Sequence, residues 1–157
     1  MPNNPFGKLL KQGRLRKQKA GIVQIEALLK QAIADLAEAK KIAHIAERAT
    51  YLLAYMAMLK AGRALLLFKG YVPDDGAQHK TVVEVTGILL GEKYRNLTEQ
   101  FESMRRKRNE MTYEAGALLS ISESQQAFAD AISLVKEIYK EVKSQNPQLT
   151  LEFDINY

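Results

Sequence analysis

The chain of 157 residues contains no cysteine, no tryptophan and only two histidines. Without cysteine there is no disulfide, no thiol nucleophile and no thiolate zinc site. The two histidines, His44 and His79, stand far apart in sequence, so a histidine-built metal centre is not expected. Neither a metal nor a cofactor is therefore anticipated. Proline is scarce, with four in all, and residues 22–68 contain none and a single glycine, Gly62. No stretch reads as long and apolar enough to cross a bilayer, and no apolar segment follows the basic N-terminus as it does in a signal peptide. A cytoplasmic protein without a membrane is the expectation. Acidic residues are missing from one region: residues 1–19 carry Lys8, Lys11, Arg14, Arg16, Lys17 and Lys19, with no Asp or Glu.

What remains is an ordinary globular composition, 46% hydrophobic and 26% charged, at a length that suits one domain with a real core. The formal charge of +5 lies mainly in the N-terminal segment: 23 basic residues less those six leaves 17 against 18 acids. A basic arm can track a polyanion such as RNA. Basic residues without interleaved aromatics more often form a solvated leader, and that is the preferred reading.

Periodicity organises the rest. Apolar residues recur at helical spacing from 22 to 68, but one straight helix of that length would measure on the order of 70 Å. A compact domain of this size is about 35–40 Å across, so the run must fold back. The break is placed between His44 and Thr50, with one helix ending near Ile42 and the next starting near Arg48. His44 in that reversal is read as structural. Ile22, Ile25, Leu29, Leu36 and Ile42 should face the core from the first helix, and Leu52, Met56, Leu59 and Leu66 from the second. GYVPDDG at 70–76 reads as a loop. A third helix is expected at 79–90, with Val82, Val85 and Leu89 inward, and a fourth at 94–115. Ser122 and Gln125 have capping-box spacing before a fifth, which buries Phe128, Ala131, Val135, Ile138 and Val142 and stops before Pro147. The fold class is all-α, an antiparallel bundle of four to five helices. The tail differs: Leu149, Leu151, Phe153, Ile155 and Tyr157 alternate with polar residues, an extended pattern with one apolar face. Nothing else reads as a strand, so the tail should dock on the bundle, pair with its own copy, or add to a partner's sheet edge. The chain thus divides into a basic arm (1–19), a helical bundle (20–145) and an extended C-terminal tail (146–157).

Tyr94, Leu97, Phe101, Met104, Arg108 and Met111 step by alternating threes and fours, the seam of an amphipathic helix. Every position on that seam is apolar except Arg108. A guanidinium there is costly unless it is paired or faces a wet cleft. It can also lay its stem on apolar surface while its head reaches water. One helical turn relates Arg105 to Asn109, Asn109 to Tyr113, and Arg108 to Thr112, giving a donor-rich face suited to phosphate or ribose. Lys60 and Arg63 lie one turn apart on the second helix and would add positive charge, although a solvated face is the simpler account. His79, at the start of the third helix, could approach the same groove.

In order along the chain, AYMAMLKAGRALLLFKG at 54–70, the loop, His79, and RRKRN at 105–109 followed by Tyr113 resemble the HEPN family, the higher-eukaryote and prokaryote nucleotide-binding domains. The likeness runs from about residue 21 to 142 and is similar to a bacterial and archaeal subgroup with Arg-Asn and then Tyr on the penultimate helix. The resemblance implies a helical bundle that dimerises, and a metal-independent ribonuclease or RNA- and nucleotide-binding role in toxin–antitoxin, phage-defence or RNA-processing systems. Its motif falls on Arg108, Asn109 and Tyr113, the residues expected in catalysis, while helix spacing and the groove add Arg105, Thr112, His79 and Lys60 as candidate binding residues. Tyr113 stands where the family motif has histidine, and a phenol with a pKa near 10 is a poor base at neutral pH. The phosphate-binding half of the motif is intact. The alternative reading is a non-catalytic dimerisation protein that holds a partner such as a nucleotidyltransferase or an antitoxin.

Overall fold

A computed structural model describes residues 5–74, 76 and 78–157. Residues 1–4 of the basic arm and positions 75 and 77 of the loop lie outside the described residues. The order is α1 (Pro5–Lys11), β1 (Leu15–Lys17), α2 (Ile22–Ile42), α3 (Glu47–Phe68), β2 (Tyr71–Pro73), α4 (Gln78–Leu90), a 3-10 turn (Glu92–Tyr94), α5 (Arg95–Tyr113) and α6 (Ile121–Gln145). The all-α bundle is the observed class, with five long helices and one short one among the described residues.

α3 is the central helix and packs on α2, α4, α5 and α6. Thirteen of its 22 residues are buried, among them Ala54, Ala57, Ala61, Gly62 and Ala64. Small side chains on several faces let neighbouring helices approach closely, and Tyr55, Met58, Leu65 and Leu66 fill the gaps between them. One expectation needs correction here. α3 is long and apolar enough to meet the measure of a membrane span, and 67% of that window is buried inside the bundle. An all-round apolar helix is what the centre of a bundle requires.

The ends of the elements are fixed locally. Gly70, at φ +91°, follows α3 in the left-handed conformation, with its N–H donated to the Leu67 carbonyl. The capping box of α6 is Ser120 with Glu123, and Ser122–Gln125 already lie inside the helix. Glu123 N donates to Ser120 Oγ at 3.0 Å, and Ser120 N donates to Glu123 Oε1 at 3.2 Å. A carboxylate suits the positive helix N-terminus better than an amide does, which favours the earlier box.

Two short strands overturn the expectation that only the tail would be extended. β1 pairs antiparallel with β2, Leu15 opposite Pro73 and Lys17 opposite Tyr71. Three-residue strands are too short for alternation to show in sequence, and no turn joins them. Pairing buries Leu15, and Leu9 of α1 is buried beside it in the core. The tail itself forms no strand and docks on its own bundle. Leu149 and Ile155 are buried. Tyr139 Oη donates to the Leu151 carbonyl at 2.6 Å, Lys143 Nζ donates to the Leu149 carbonyl, and Tyr157 lies 5.9 Å from the Phe128 ring.

Gly62 and Gly87 make a contrasting pair. A Cβ on Gly62 would sit 2.8 Å from both Thr86 Oγ1 and Val82 Cγ1, buried β-branched side chains with little room to turn. A Cβ on Gly87 would meet Thr98 no closer than 3.6 Å. Overpacking costs about 1–3 kcal/mol, against a helix-propensity gain of about 0.8–1.0 kcal/mol. Gly62→Ala should therefore lower the stability measured by urea unfolding by on the order of 1 kcal/mol, and Gly87→Ala should raise it. The reverse order would contradict the packing described here.

Candidate functional site

Three elements meet around a cleft of about 470 Å³ lined by Arg63 of α3, Gly76, Gln78, His79 and Lys80 at the start of α4, and Arg105, Arg108 and Asn109 of α5. Each is placed by simple helix geometry. On α5, Phe101, Met104 and Met111 are buried, which turns the Arg105, Arg108 and Asn109 set towards the α4 terminus. Arg108 lies between two buried methionines yet is itself half-buried, its head in the cleft. α4 has no acid in its first turn, and its N-terminal dipole adds to the positive potential.

The cations differ in how they are held. Arg105 forms a bidentate pair with Glu102, Nη2 to Oε1 at 2.6 Å and Nε to Oε2 at 3.0 Å. That pair holds the Glu102 carboxyl below the usual carboxylate range. Arg63 Nη2 donates only to Gln78 Oε1, at 3.3 Å. Arg108 Nη1 reaches Asn109 Oδ1 at 3.5 Å, the outer limit of a hydrogen bond. Among the described residues Arg63, Lys80 and Arg108 have no carboxylate partner. Three unneutralised cations around one cleft repel one another and favour an anion between them.

His79 sits among them. Its Nδ1 lies 3.0 Å from the Tyr55 hydroxyl, and the rings are 5.9 Å apart. Tyr55 is fully buried on α3, and its ring also tilts against Phe101 of α5 at 6.0 Å. Burial pushes the Tyr55 phenol up to about 12, so it stays protonated. His79 is pushed below its ordinary value, first by burial and then by Arg108, Arg63 and Arg105. A neutral imidazole with Nδ1 engaged leaves Nε2 for a ligand. If Tyr55 donates, Nε2 carries the proton and is a hydrogen-bond donor; if Tyr55 accepts, Nε2 holds a lone pair and is a base.

Three residues expected at the site stand elsewhere. Tyr113 ends α5 at 79% exposure and does not line the cleft. Thr112 is exposed, its hydroxyl donating to the Arg108 carbonyl at 2.9 Å. Lys60 points away from Arg63 and pairs with Asp35 of α2 at 2.7 Å, a part-buried clamp between α2 and α3. Arg105, Arg108, Asn109 and His79 do come together. Gln78, Lys80 and Tyr55 join them unforeseen. The only advance signal was that a core tyrosine needs a partner for its hydroxyl. Among the described residues no group of His, Asp or Glu is placed to hold a metal.

The HEPN domain model matches residues 25–145, and the chain belongs to the HEPN family. No curated protein and no solved structure matches the chain.

Because the folded pKa of His79 lies below its unfolded value of about 6.5, the unfolded chain takes up this proton first. Its neutral form supports the fold fully above about pH 6.5, and that support falls away as pH drops through the folded value. An NMR titration of the His79 ring should give a midpoint below about 6.5, and Arg108→Ala should raise it. A midpoint at or above that value in the wild type would contradict the electrostatics of the cleft.

Proposed function

We propose that this HEPN-domain protein binds RNA or a nucleotide by its phosphate in the cleft between α3, α4 and α5. The family carries the coarser statement, a nucleotide- or RNA-related role. One observation supports the finer one: Arg108, Arg63 and Lys80 converge on the cleft without carboxylate partners among the described residues, around a neutral His79. A phosphate there takes charge-assisted hydrogen bonds from the guanidinium groups, and Asn109 and Gln78 supply polar contacts for a ribose or base. In a metal-independent cleavage, Arg108 would stabilise charge on the phosphate, and His79 would handle the proton of the attacking ribose hydroxyl. A role in a toxin–antitoxin or defence module belongs to the same reading.

Loss of a hydrogen bond to a charged group costs about 1.5–3 kcal/mol, so Arg108→Ala should weaken nucleotide and RNA binding about tenfold or more. Calorimetry at low salt checks this, and unchanged affinity would remove the cleft from consideration. RNA cleavage in EDTA should require His79. Cleavage that survives His79→Gln but is lost in Tyr113→Phe would move the proton-transferring group to the end of α5.

A second reading rests on the opposite feature, an apolar end of the bundle. Ile45, Tyr113, Leu118 and Ile121 are 82%, 79%, 81% and 60% exposed. They belong to segments tied together by Arg48 Nη2 donating to the Met111 carbonyl at 2.7 Å and Ser124 Oγ donating to the Glu47 carbonyl at 2.9 Å. Exposed apolar groups gathered in this way mark an association surface. We propose that a homodimer forms here, with Tyr113 in the interface; a nucleotidyltransferase or antitoxin is the other occupant this reading allows. Sedimentation should show a dimer that Leu118→Glu with Ile121→Glu dissociates. A dimer that survives both changes would place the interface elsewhere.

A further inference from the structure

We infer that the N-terminal segment, outside the matched residues 25–145, is a second phosphate-contacting surface, and that the ligand is a single-stranded polynucleotide that leaves the cleft along it. The inference rests on the cleft reading above and names its substrate class.

The segment is not a free arm. β1 pairs with β2, Gln18 N donates to the Gly70 carbonyl and Asp74 N to the Arg14 carbonyl, both at 2.9 Å. Arg14 reaches α4, with Nη2 2.6 Å from Glu84 Oε2 and 3.1 Å from Thr81 Oγ1. The basic segment is thereby fastened to the helix that carries His79 and Lys80. It is also fastened to the strand that leads into Gly76 of the cleft wall. From Tyr71 to Gly76 the chain spans at most about 17 Å.

The charges on this segment divide into two sets. Arg14 is matched by Glu84, and Arg16 lies 3.5 Å from Asp74. Lys8, Lys11, Lys17 and Lys19 are exposed and have no acidic partner among the described residues. A row of unpaired ammonium groups on a segment fastened to the cleft wall adds to the positive surface.

Aromatic groups lie within the row. Phe6 and Tyr71 stack at 5.0 Å with an angle of 14° between rings, both half-buried, and Tyr71 is the β-partner of Lys17. Aromatic rings among cations are the chemistry by which a single strand is held without regard to sequence, and this pair stands next to Lys17. In the amino-acid sequence these aromatics are separated by 65 positions, so the basic arm reads there as a bare solvated leader.

The test is fluorescence anisotropy of the full chain with end-labelled single-stranded RNA, from a mononucleotide to about a dodecamer. Wild type is compared with the double variant Lys17→Gln, Lys19→Gln. Wild-type affinity should climb about tenfold or more with length at low salt. In the double variant most of that gain should be lost, and the salt slope for the longest RNA should fall by about 1.4, at about 0.7 per phosphate contact. An equal gain with length in the two proteins overturns the inference, and a bound mononucleotide in the same experiment leaves the cleft reading standing. Failure of any mononucleotide to bind, with Arg108→Ala indifferent towards every RNA, removes the cleft reading and this one with it. Anionic vesicles that displace the RNA from wild type but not from the double variant would reassign the lysines to a lipid surface.

Discussion

A buried phenol must find a hydrogen-bond partner, and the site depends on the one that Tyr55 finds. An unsatisfied hydroxyl in the core costs about 1–3 kcal/mol. Tyr55 projects from the central helix to a point where α4 begins and α5 passes, and His79 there supplies its partner. The hydrogen bond fixes the rotation of the imidazole. The packing of Tyr55 on Phe101 fixes the distance of α5, and so the positions of Arg105 and Arg108. Fold stability and site geometry therefore rest on the same side chain.

The concentration of cations is the reverse of what stability alone would select. Glu102 neutralises Arg105 and also receives Arg106 Nε at 3.0 Å, which leaves nothing for Arg108. Other carboxylates are used to bind helices together: Asp35 holds Lys60, Glu84 holds Arg14, and Glu141 holds Lys69. Those three ion pairs thus lie away from the cleft, while Arg63, Lys80 and Arg108 in its lining have no carboxylate partner among the described residues. Burial first, and then Arg108, Arg63 and Arg105, lower the proton affinity of His79 and favour the neutral imidazole. Arrival of an anionic phosphate would offset the same arginines and restore proton affinity to the ring. Binding and protonation would in this way be coupled through a single cluster.

Much of this was legible in the sequence because helical periodicity is a local signal. The reversal after Ile42, the buried stripe of α6 and the anomaly of Arg108 on an apolar seam all follow from spacing. What sequence could not supply is pairing across distance. Tyr55 and His79 are 24 positions apart. β1 and β2 have no joining turn, and three residues each cannot display alternation. Lys60 and Arg63 share a helix face by spacing, yet one is drawn to Asp35 and the other to the cleft. Tyr113 looked like a site residue because it lies one turn from Asn109. The last turn of α5 runs past the cleft, however, and Tyr113 emerges at the apolar end of the bundle.

The N-terminal segment shows why the matched residues alone do not define the surface. Residues 25–145 contain the cleft and its cations, but the wall that includes Gly76 and Gln78 is an edge built on a loop. A loop with a free edge would let the start of α4 fray, since orphan N–H groups in the first turn have few partners. β1 removes that freedom by pairing with β2, and Arg14 adds hydrogen bonds to Thr81 and Glu84 of α4 itself. The backbone of such a strap is already ordered, so phosphates that met its lysines would order the side chains without also ordering a leader. A flexible leader with the same charge would attract a polyanion without directing it. On the inference drawn above, anchoring would convert a basic composition into an oriented path towards Arg108.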